Sequence, residues 1–181
     1  VTGLVDHTPR SICIIGAECT GKTTLVQQLA AQTGGQVVPE VLRDWCATQG
    51  RTPQAHEQAA LMQAQIDAEN QALAQVNKGQ GAIVFCDCGP LLTAIYSQFH
   101  FADDRLLAAA HAHHRRYDLT LWLQPDLPWV ADGWQRDGLA AQAGVHRLLE
   151  LQLALHVPVV RVSGVGAARW QAAQFALAHE T

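Results

Sequence analysis

Residues 11–24 read Ser11-Ile12-Cys13-Ile14-Ile15-Gly16-Ala17-Glu18-Cys19-Thr20-Gly21-Lys22-Thr23-Thr24. Gly16 to Thr23 satisfies the spacing G-x-x-x-x-G-K-[ST] of a phosphate-binding loop, a pattern that means little without a strand before it and a helix after it. Both are expected here. Ser11–Ile15 is a short apolar, β-branched run of the kind a buried parallel strand needs. Thr24–Ala31 carries Leu25, Val26, Leu29 and Ala30 on one side, which predicts a helix. The chemistry accounts for the spacing. Backbone N–H groups over Gly16, Ala17, Glu18, Cys19, Thr20, Gly21, Lys22, Thr23 and Thr24 would point at phosphate oxygens, where the helix dipole also favours negative charge. Lys22 would reach the β- and γ-phosphates and the Thr23 hydroxyl would ligate Mg²⁺. Lys22 is one of only two lysines in the chain, the other being Lys78. The expected ligand is a nucleoside triphosphate, ATP with Mg²⁺.

Working outward, 181 residues suit a single domain with a full hydrophobic core. Hydrophobic residues at 49% and charged residues at 15% describe a globular chain rather than a disordered one. A net charge of −4 with no dense basic patch argues against nucleic acid as a partner. The one basic pair, Arg115-Arg116, suits a helix C-terminus. No apolar run approaches the roughly 20 residues of a membrane span, and Val1 to Pro9 reads as a short polar lead-in without a signal peptide. Of the five cysteines, Cys13 and Cys86 fall in predicted buried strands. Cys86-x-Cys88 has the wrong spacing for a zinc knuckle and reads as continuing a strand. A reducing cytoplasm is the expected setting.

In order along the chain, strands are expected at Ser11–Ile15, Gln36–Val38, Ala82–Cys86, Leu119–Leu123 and Pro158–Val162. Helical stretches are expected at Val41–Thr48, Gln54 to Asn77, Pro90 to Phe99, Asp103 to His114, Ala140–Leu155 and Val165–His179. Five strands alternating with helices imply an α/β fold, a parallel sheet covered on both faces. Only Asp126–Gly138, with its Gly, Pro, Trp and charged residues, does not read as an element of its own.

In such a sheet ligands bind beyond the C-terminal strand ends. That rule selects the phosphate loop, Glu40 after the second strand and Asp87 after the third. Asp87 is placed as a Walker-B acid would be, holding Mg²⁺ or its bound water, although it also stands where it could cap the Pro90 helix. Glu40 with Arg43 one turn on would grip a hydroxylated acceptor or take its proton, or else form an ordinary surface pair. The segment 126–138 suits a lid closing over phosphates, with Arg136 on the transferring group and Trp129 and Trp134 stacking on a base or sealing the site. A surface loop with packed tryptophans is the alternative. His111-x-His113-His114 has metal-like spacing, but placement at a helix C-terminus explains it better.

Taken together these segments resemble the ribosylnicotinamide kinase domain of bacterial NAD-biosynthesis proteins and the related small P-loop kinases and ATPases. The likeness rests on Gly16-Ala17-Glu18-Cys19-Thr20-Gly21-Lys22-Thr23, on Pro39-Glu40-Val41-Leu42-Arg43-Asp44-Trp45, on Phe85-Cys86-Asp87 followed by Leu92-Thr93-Ala94, on Pro128-Trp129-Val130-Ala131-Asp132-Gly133, and on the closing Val159-Val160-Arg161-Val162-Ser163-Gly164. The resemblance implies a P-loop NTPase fold of nucleoside-kinase type with strand order 2-3-1-4-5. It also implies an ATP- and Mg²⁺-dependent kinase acting on a small riboside, nicotinamide riboside at its 5′-hydroxyl. Lys22, Asp87, Glu40 and Arg136 would then be catalytic, with Thr23 and Asp87 holding the metal. Glu40, Arg43, Trp45, Asp87 and Trp129 would hold the substrate. A regulatory ATPase or nucleotide switch, or a kinase for another nucleoside or vitamin alcohol, is the competing reading. The chain departs from the family pattern where a second acid often follows two residues after the strand-three Asp, here Gly89. It departs again at Pro39, where an aromatic can stand, and at Cys19, where Ser is usual.

Overall fold

Strand β1 (Arg10–Ile15) lies at the centre of the sheet, and Ile12, Cys13, Ile14 and Ile15 are all fully buried. A strand buried on both faces needs apolar side chains at consecutive positions rather than alternate ones. In the computed structural model, which describes residues 9–76, 82–130 and 138–179, β1 is followed by α1 (Lys22–Thr33), β2 (Gln36–Val38), α2 (Val41–Gln49), α3 (Gln58–Gln75) and β3 (Ile83–Asp87). Then come α4 (Pro90–Phe101), α5 (Leu107–His114), β4 (Leu119–Leu123), α6 (Leu139–Leu153), β5 (Val159–Val162) and α7 (Ala167–His179). The five strands are parallel in the order β2-β3-β1-β4-β5, the order the family likeness implied. The fold is α/β, a five-stranded parallel sheet with helices on both faces. Among the described residues no helix is long and apolar enough to cross a membrane.

Strand pleating divides the core in two. Ile12, Ile14, Phe85, Leu119, Leu121 and Leu123 face α1 and α7, where Leu25, Val26, Leu29, Ala173 and Ala176 meet them. Cys13, Ile15, Val84, Cys86 and Trp122 face the other way, onto Met62, Leu91, Ile95, Val145 and Leu149 of α3, α4 and α6. The register of β3 on β1 sets Asp87 opposite Ile14, at the sheet edge where the phosphate loop begins.

The boundaries differ from the expected ones where local polar bonds intervene. The stretch expected as a single helix from Gln54 opens with a 3-10 turn at Ala55–Glu57, because Gln54 and Glu57 form a reciprocal capping box and α3 starts only after it. The helix expected from Asp103 starts at Leu107, since Asp103 is occupied with Arg105 through its side chain and accepts the Arg105 N–H at 3.1 Å. Cys88 does not continue β3. It sits at φ 62° and turns the chain toward α4.

The histidine run is corrected in kind. His113 and His114 are buried, so favourable cation placement at the end of α5 does not explain them. His113 Nε2 lies 2.7 Å from Glu69 Oε2, and Tyr117 Oη donates to the same oxygen at 2.6 Å. Gln65 donates to the other oxygen of Glu69 at 3.0 Å and accepts the Val41 N–H at 2.9 Å. His114 Nε2 lies 3.0 Å from the Thr120 hydroxyl, and burial, with the neighbouring His156, pushes its pKa down to about 3. Among the described residues no group of three or more His, Cys, Asp or Glu is arranged to hold a metal ion. Glu69, at 1% exposure, thus ties α3 to α5 and to the segment leading into β4. Glu69→Leu would leave three buried groups without their partner, and an expected loss of about 3 kcal/mol or more is readable in urea unfolding.

Candidate active site

The phosphate loop runs from Gly16 to Thr23 between β1 and the first turn of α1. A Cβ at Gly16 would lie 2.7 Å from the Thr20 hydroxyl and 2.9 Å from the Leu123 carbonyl, so only glycine fits that corner. Left-handed backbone at Cys19 (φ 57°) and Gly21 (φ 77°) curls the loop into the concave form that collects N–H groups for an anion. The loop carbonyls are claimed by the protein. Ala17 O accepts from Lys22 Nζ at 2.9 Å and from the Thr20 hydroxyl at 2.8 Å. Glu18 O accepts from Gln142 of α6 at 2.6 Å. Thr20 O accepts from Arg169 of α7.

Asp87 is buried and accepts the Thr23 hydroxyl proton at 2.6 Å. The alternative role of capping α4 is excluded by geometry: the N-cap is Gly89, with no side-chain cap bond. A hydroxyl and a carboxyl side by side at the foot of a phosphate loop form the hard oxygen donor set that Mg²⁺ prefers.

Beside the loop opens a cleft of about 560 Å³ whose wall includes Lys22, Glu40, Arg43 and Gln58 with the aromatic rings of Tyr96 and Phe101. Glu40 caps α2 by backbone alone, which leaves its carboxyl for the cleft. Arg43 Nε lies 3.6 Å from Glu40 Oε2. Burial pushes the Glu40 pKa above its ordinary value. Lys22 opposes the shift, Asp87 reinforces it, and Arg43 and a hydrogen bond from Cys88 oppose it more weakly. A second cleft of about 620 Å³ lies on the other side of the loop, bounded by Gly21, Thr24, Leu127 and Trp170.

Two of the aromatic residues expected at the substrate lie elsewhere. Trp45 is half-buried on α2 with the Arg51 guanidinium 4.8 Å over its ring, and it is not in the wall of the cleft. Trp129 is half-buried and lines neither cleft among the described residues. Arg136 and Trp134 fall at 131–137, outside the described residues. At the start of the expected lid, the Val130 backbone N–H and carbonyl lie 3.4 and 3.3 Å from Cys19 Sγ, so the thiol that stands in place of the usual Ser meets this segment directly.

A family profile described as an AAA domain matches residues 11–169. The chain belongs to the AAA domain family. By overall structure this AAA domain is similar to a NadR protein in complex with NR (23% identity, TM-score 0.79, covering 97% of this chain and 52% of that one). It is similar also to a NadR protein in complex with NAD and AMP-PNP (24% identity, TM-score 0.77, 97% and 50% covered). A third likeness is to deoxyadenosine kinase from M. mycoides with bound dATP, at 13% identity and TM-score 0.63, with 93% of this chain and 99% of that one covered. The chain therefore spans about half the length of the NadR structures it matches. No curated protein sequence matches it.

Two features of this AAA domain site carry no sequence motif. At Gly89, one of the departures from the family pattern that the sequence resembles, a Cβ would lie 2.6 Å from Tyr117 Oη and 3.1 Å from Cys13 Sγ, so no acid fits. Arg169 is 6% exposed. Besides Thr20 O, its guanidinium donates to Gly164 O and Gln124 O at 2.8 Å each and lies 3.4 Å from Asp126. One side chain from α7 thereby fastens the phosphate loop, the end of β4 and the turn after β5 to each other. Arg169→Met should cost about 3 kcal/mol, as expected for an uncompensated buried hydrogen-bonded charge site. It should also speed amide exchange across Gly16–Lys22. Arg105→Met, at an exposed pair, serves as the control and should change neither.

Proposed function

We propose that this chain is an ATP-dependent kinase that transfers the γ-phosphoryl group to the 5′-hydroxyl of nicotinamide riboside, giving nicotinamide mononucleotide. The observation that carries the reading is the 560 Å³ cleft, nucleoside-sized, with the loop lysine Lys22 and the carboxyl of Glu40 in one wall. A protein that only switches on a nucleotide has no need of a second, substrate-sized cleft running into its phosphate loop. The NR in the first NadR complex, read as nicotinamide riboside, supports the choice of acceptor. The AMP-PNP and dATP of the other two complexes support ATP.

In this reading the triphosphate lies on the loop N–H groups with Lys22 against its terminal phosphates, and the base occupies the second cleft near Trp170. Thr23 and Asp87 would hold Mg²⁺, which would draw charge from the phosphate oxygens. Asp87 is already bonded to Thr23, so Glu40 is the group that orients the acceptor hydroxyl and accepts its proton. Arg43 steadies Glu40 and adds positive charge beside the transferring group, and Arg136 is assigned to that group from sequence. Tyr96 and Phe101 offer the pyridinium ring flat apolar neighbours, a role for which Trp45, Trp129 and Trp134 are the candidates expected from sequence. Rate acceleration would come from positioning and charge stabilisation. The product would serve NAD synthesis in the cytoplasm.

Three measurements test this. Lys22→Ala should lower ATP affinity by at least about tenfold through loss of a charge-assisted contact while the circular dichroism spectrum is kept; unchanged affinity would remove the nucleotide assignment. ATP turnover should be slow alone and accelerate with nicotinamide riboside, and hydrolysis indifferent to every riboside would favour the switch instead. The third concerns Glu40. Because burial raises its pKa, the folded state favours the protonated form. Its contribution to stability is therefore favourable at low pH and is lost as pH rises through the folded pKa. Turnover runs the opposite way, since the base must be ionised, so kcat should fall as pH drops through that same pKa. At pH 8 Glu40→Gln should raise Tm while lowering kcat by about 10²–10⁴. A variant with wild-type kcat would remove Glu40 from the base role.

A further inference from the structure

Gln58, the first residue of α3, forms part of the wall of the first cleft. It is 2% exposed, yet its side-chain carbonyl oxygen Oε1 has no hydrogen-bond partner among the described residues. Buried polar groups are paired as a rule, and the buried glutamine nearest along α3 obeys the rule. Gln54, exposed before α3, is held in the capping box with Glu57 and needs no buried partner. Gln65, two turns further along α3, bonds both Val41 and Glu69. Gln58 differs in keeping an unpaired buried acceptor in a residue of the cleft wall, where a turn of its side-chain amide brings the oxygen to a bound molecule that supplies the missing donor.

The chemistry of that donor is narrow. A buried amide carbonyl is matched by an N–H, and best by a neutral one, because a charged ammonium would lose more hydration on entering than one neutral acceptor returns. A donor on a flat ring also suits the aromatic neighbours Tyr96 and Phe101. A primary carboxamide on an aromatic ring meets both demands. A ring carboxylate presents only oxygens, and an unsubstituted ring presents nothing.

We propose that Gln58 is the specificity-determining residue of the acceptor cleft, its Oε1 accepting the N–H of the acceptor's ring carboxamide while Glu40 addresses the hydroxyl. The inference rests on the proposed riboside acceptor and adds what selects it. It is distinct from the catalytic assignments, because Gln58 touches neither the nucleotide nor the reacting oxygen in this arrangement.

The test compares kcat/KM for three acceptors, nicotinamide riboside, the unsubstituted pyridinium riboside and nicotinic acid riboside, on wild type, Gln58→Met and Gln58→Glu. Wild type should prefer the carboxamide to the unsubstituted ring by at least about tenfold, the discrimination expected when a buried acceptor is left unpaired. Gln58→Met matches the volume without the polar group and should shrink that ratio to about twofold or less, by the same reasoning. Gln58→Glu keeps an accepting oxygen and should hold the ratio within about threefold of wild type, with nicotinic acid riboside remaining the poorest substrate. If Gln58→Met keeps the wild-type ratio, Gln58 does not read the carboxamide and the inference falls, while the kinase reading stands. If Gln58→Met does not fold, the Gln58→Glu ratio decides alone, and its collapse overturns the inference. If wild type phosphorylates none of the three ribosides, the acceptor reading falls and the inference with it.

Discussion

The site depends on how the carbonyl groups of a single loop are disposed of. A chain that turns as tightly as Gly16–Thr23 has polar backbone on both its faces, and whichever face is buried must be satisfied from within. Here the carbonyl face is taken. Ala17, Glu18 and Thr20 accept from Lys22, Gln142 and Arg169, donors from α1, α6 and α7. Each donor is anchored in a helix packed on the sheet, so the loop is braced against three rigid elements. What such a loop offers a ligand is its N–H face, and that face suits an anion. The arrangement fixes the polarity of the site before any ligand arrives. It also makes Lys22 a structural as well as a chemical residue, since its ammonium is held against the loop from which it must act.

The same physics sets a tension on the acceptor side. Glu40 is drawn into a wall that disfavours its charge, with Asp87 adding repulsion, and Lys22 and Arg43 recover part of the cost. A carboxyl at the surface would be more stable and less basic. Burial is what gives a carboxylate proton affinity enough to take part in proton transfer, the use proposed above for Glu40, and it comes at a cost in stability. The position of Glu40 is then secured from behind. The Val41 N–H, next along the chain, is held by Gln65, Gln65 by Glu69, and Glu69 by His113 and Tyr117.

Much of this was legible in the sequence because it is written in contiguous, periodic signals. The apolar run of β1, the glycine spacing and the helix after it lie within a few residues of one another. The alternation of strands and helices repeats five times. Glu40 and Asp87 were singled out because strand ends are where such sheets place ligands, and the structure sets Asp87 on Thr23 and Glu40 in the cleft wall. Arg169, Glu69 and Gln58 left no such trace. Each is one polar residue among several in its helix, and the partners that give Arg169 and Glu69 their roles include groups remote in sequence: Thr20 stands 149 positions from Arg169 and His113 stands 44 from Glu69. The tryptophans misled for the complementary reason. A large aromatic residue near a motif is conspicuous in composition, but the face of a helix or turn it occupies is decided by packing, and Trp45 meets Arg51 rather than the cleft.

The misreading of the histidines shows where such reasoning gains most from tertiary contact. Spacing alone could place His111, His113 and His114 at a helix end, and a helix end is a reasonable place for a cation. Burial reverses the argument. A desolvated imidazole beside other imidazoles gives up its proton, as the low pKa of His114 indicates, so at His114 the dipole has no charge to favour. What the residues offer instead is hydrogen bonding in a core that carries polar groups on its α3–α5 side. His113 and Tyr117 share one carboxyl oxygen of Glu69, and the space above Tyr117 is closed to any side chain larger than that of Gly89. The position of Gly89, where the chain departs from the family pattern its sequence resembles, is therefore filled from below by this network, and packing rather than chance keeps it a glycine.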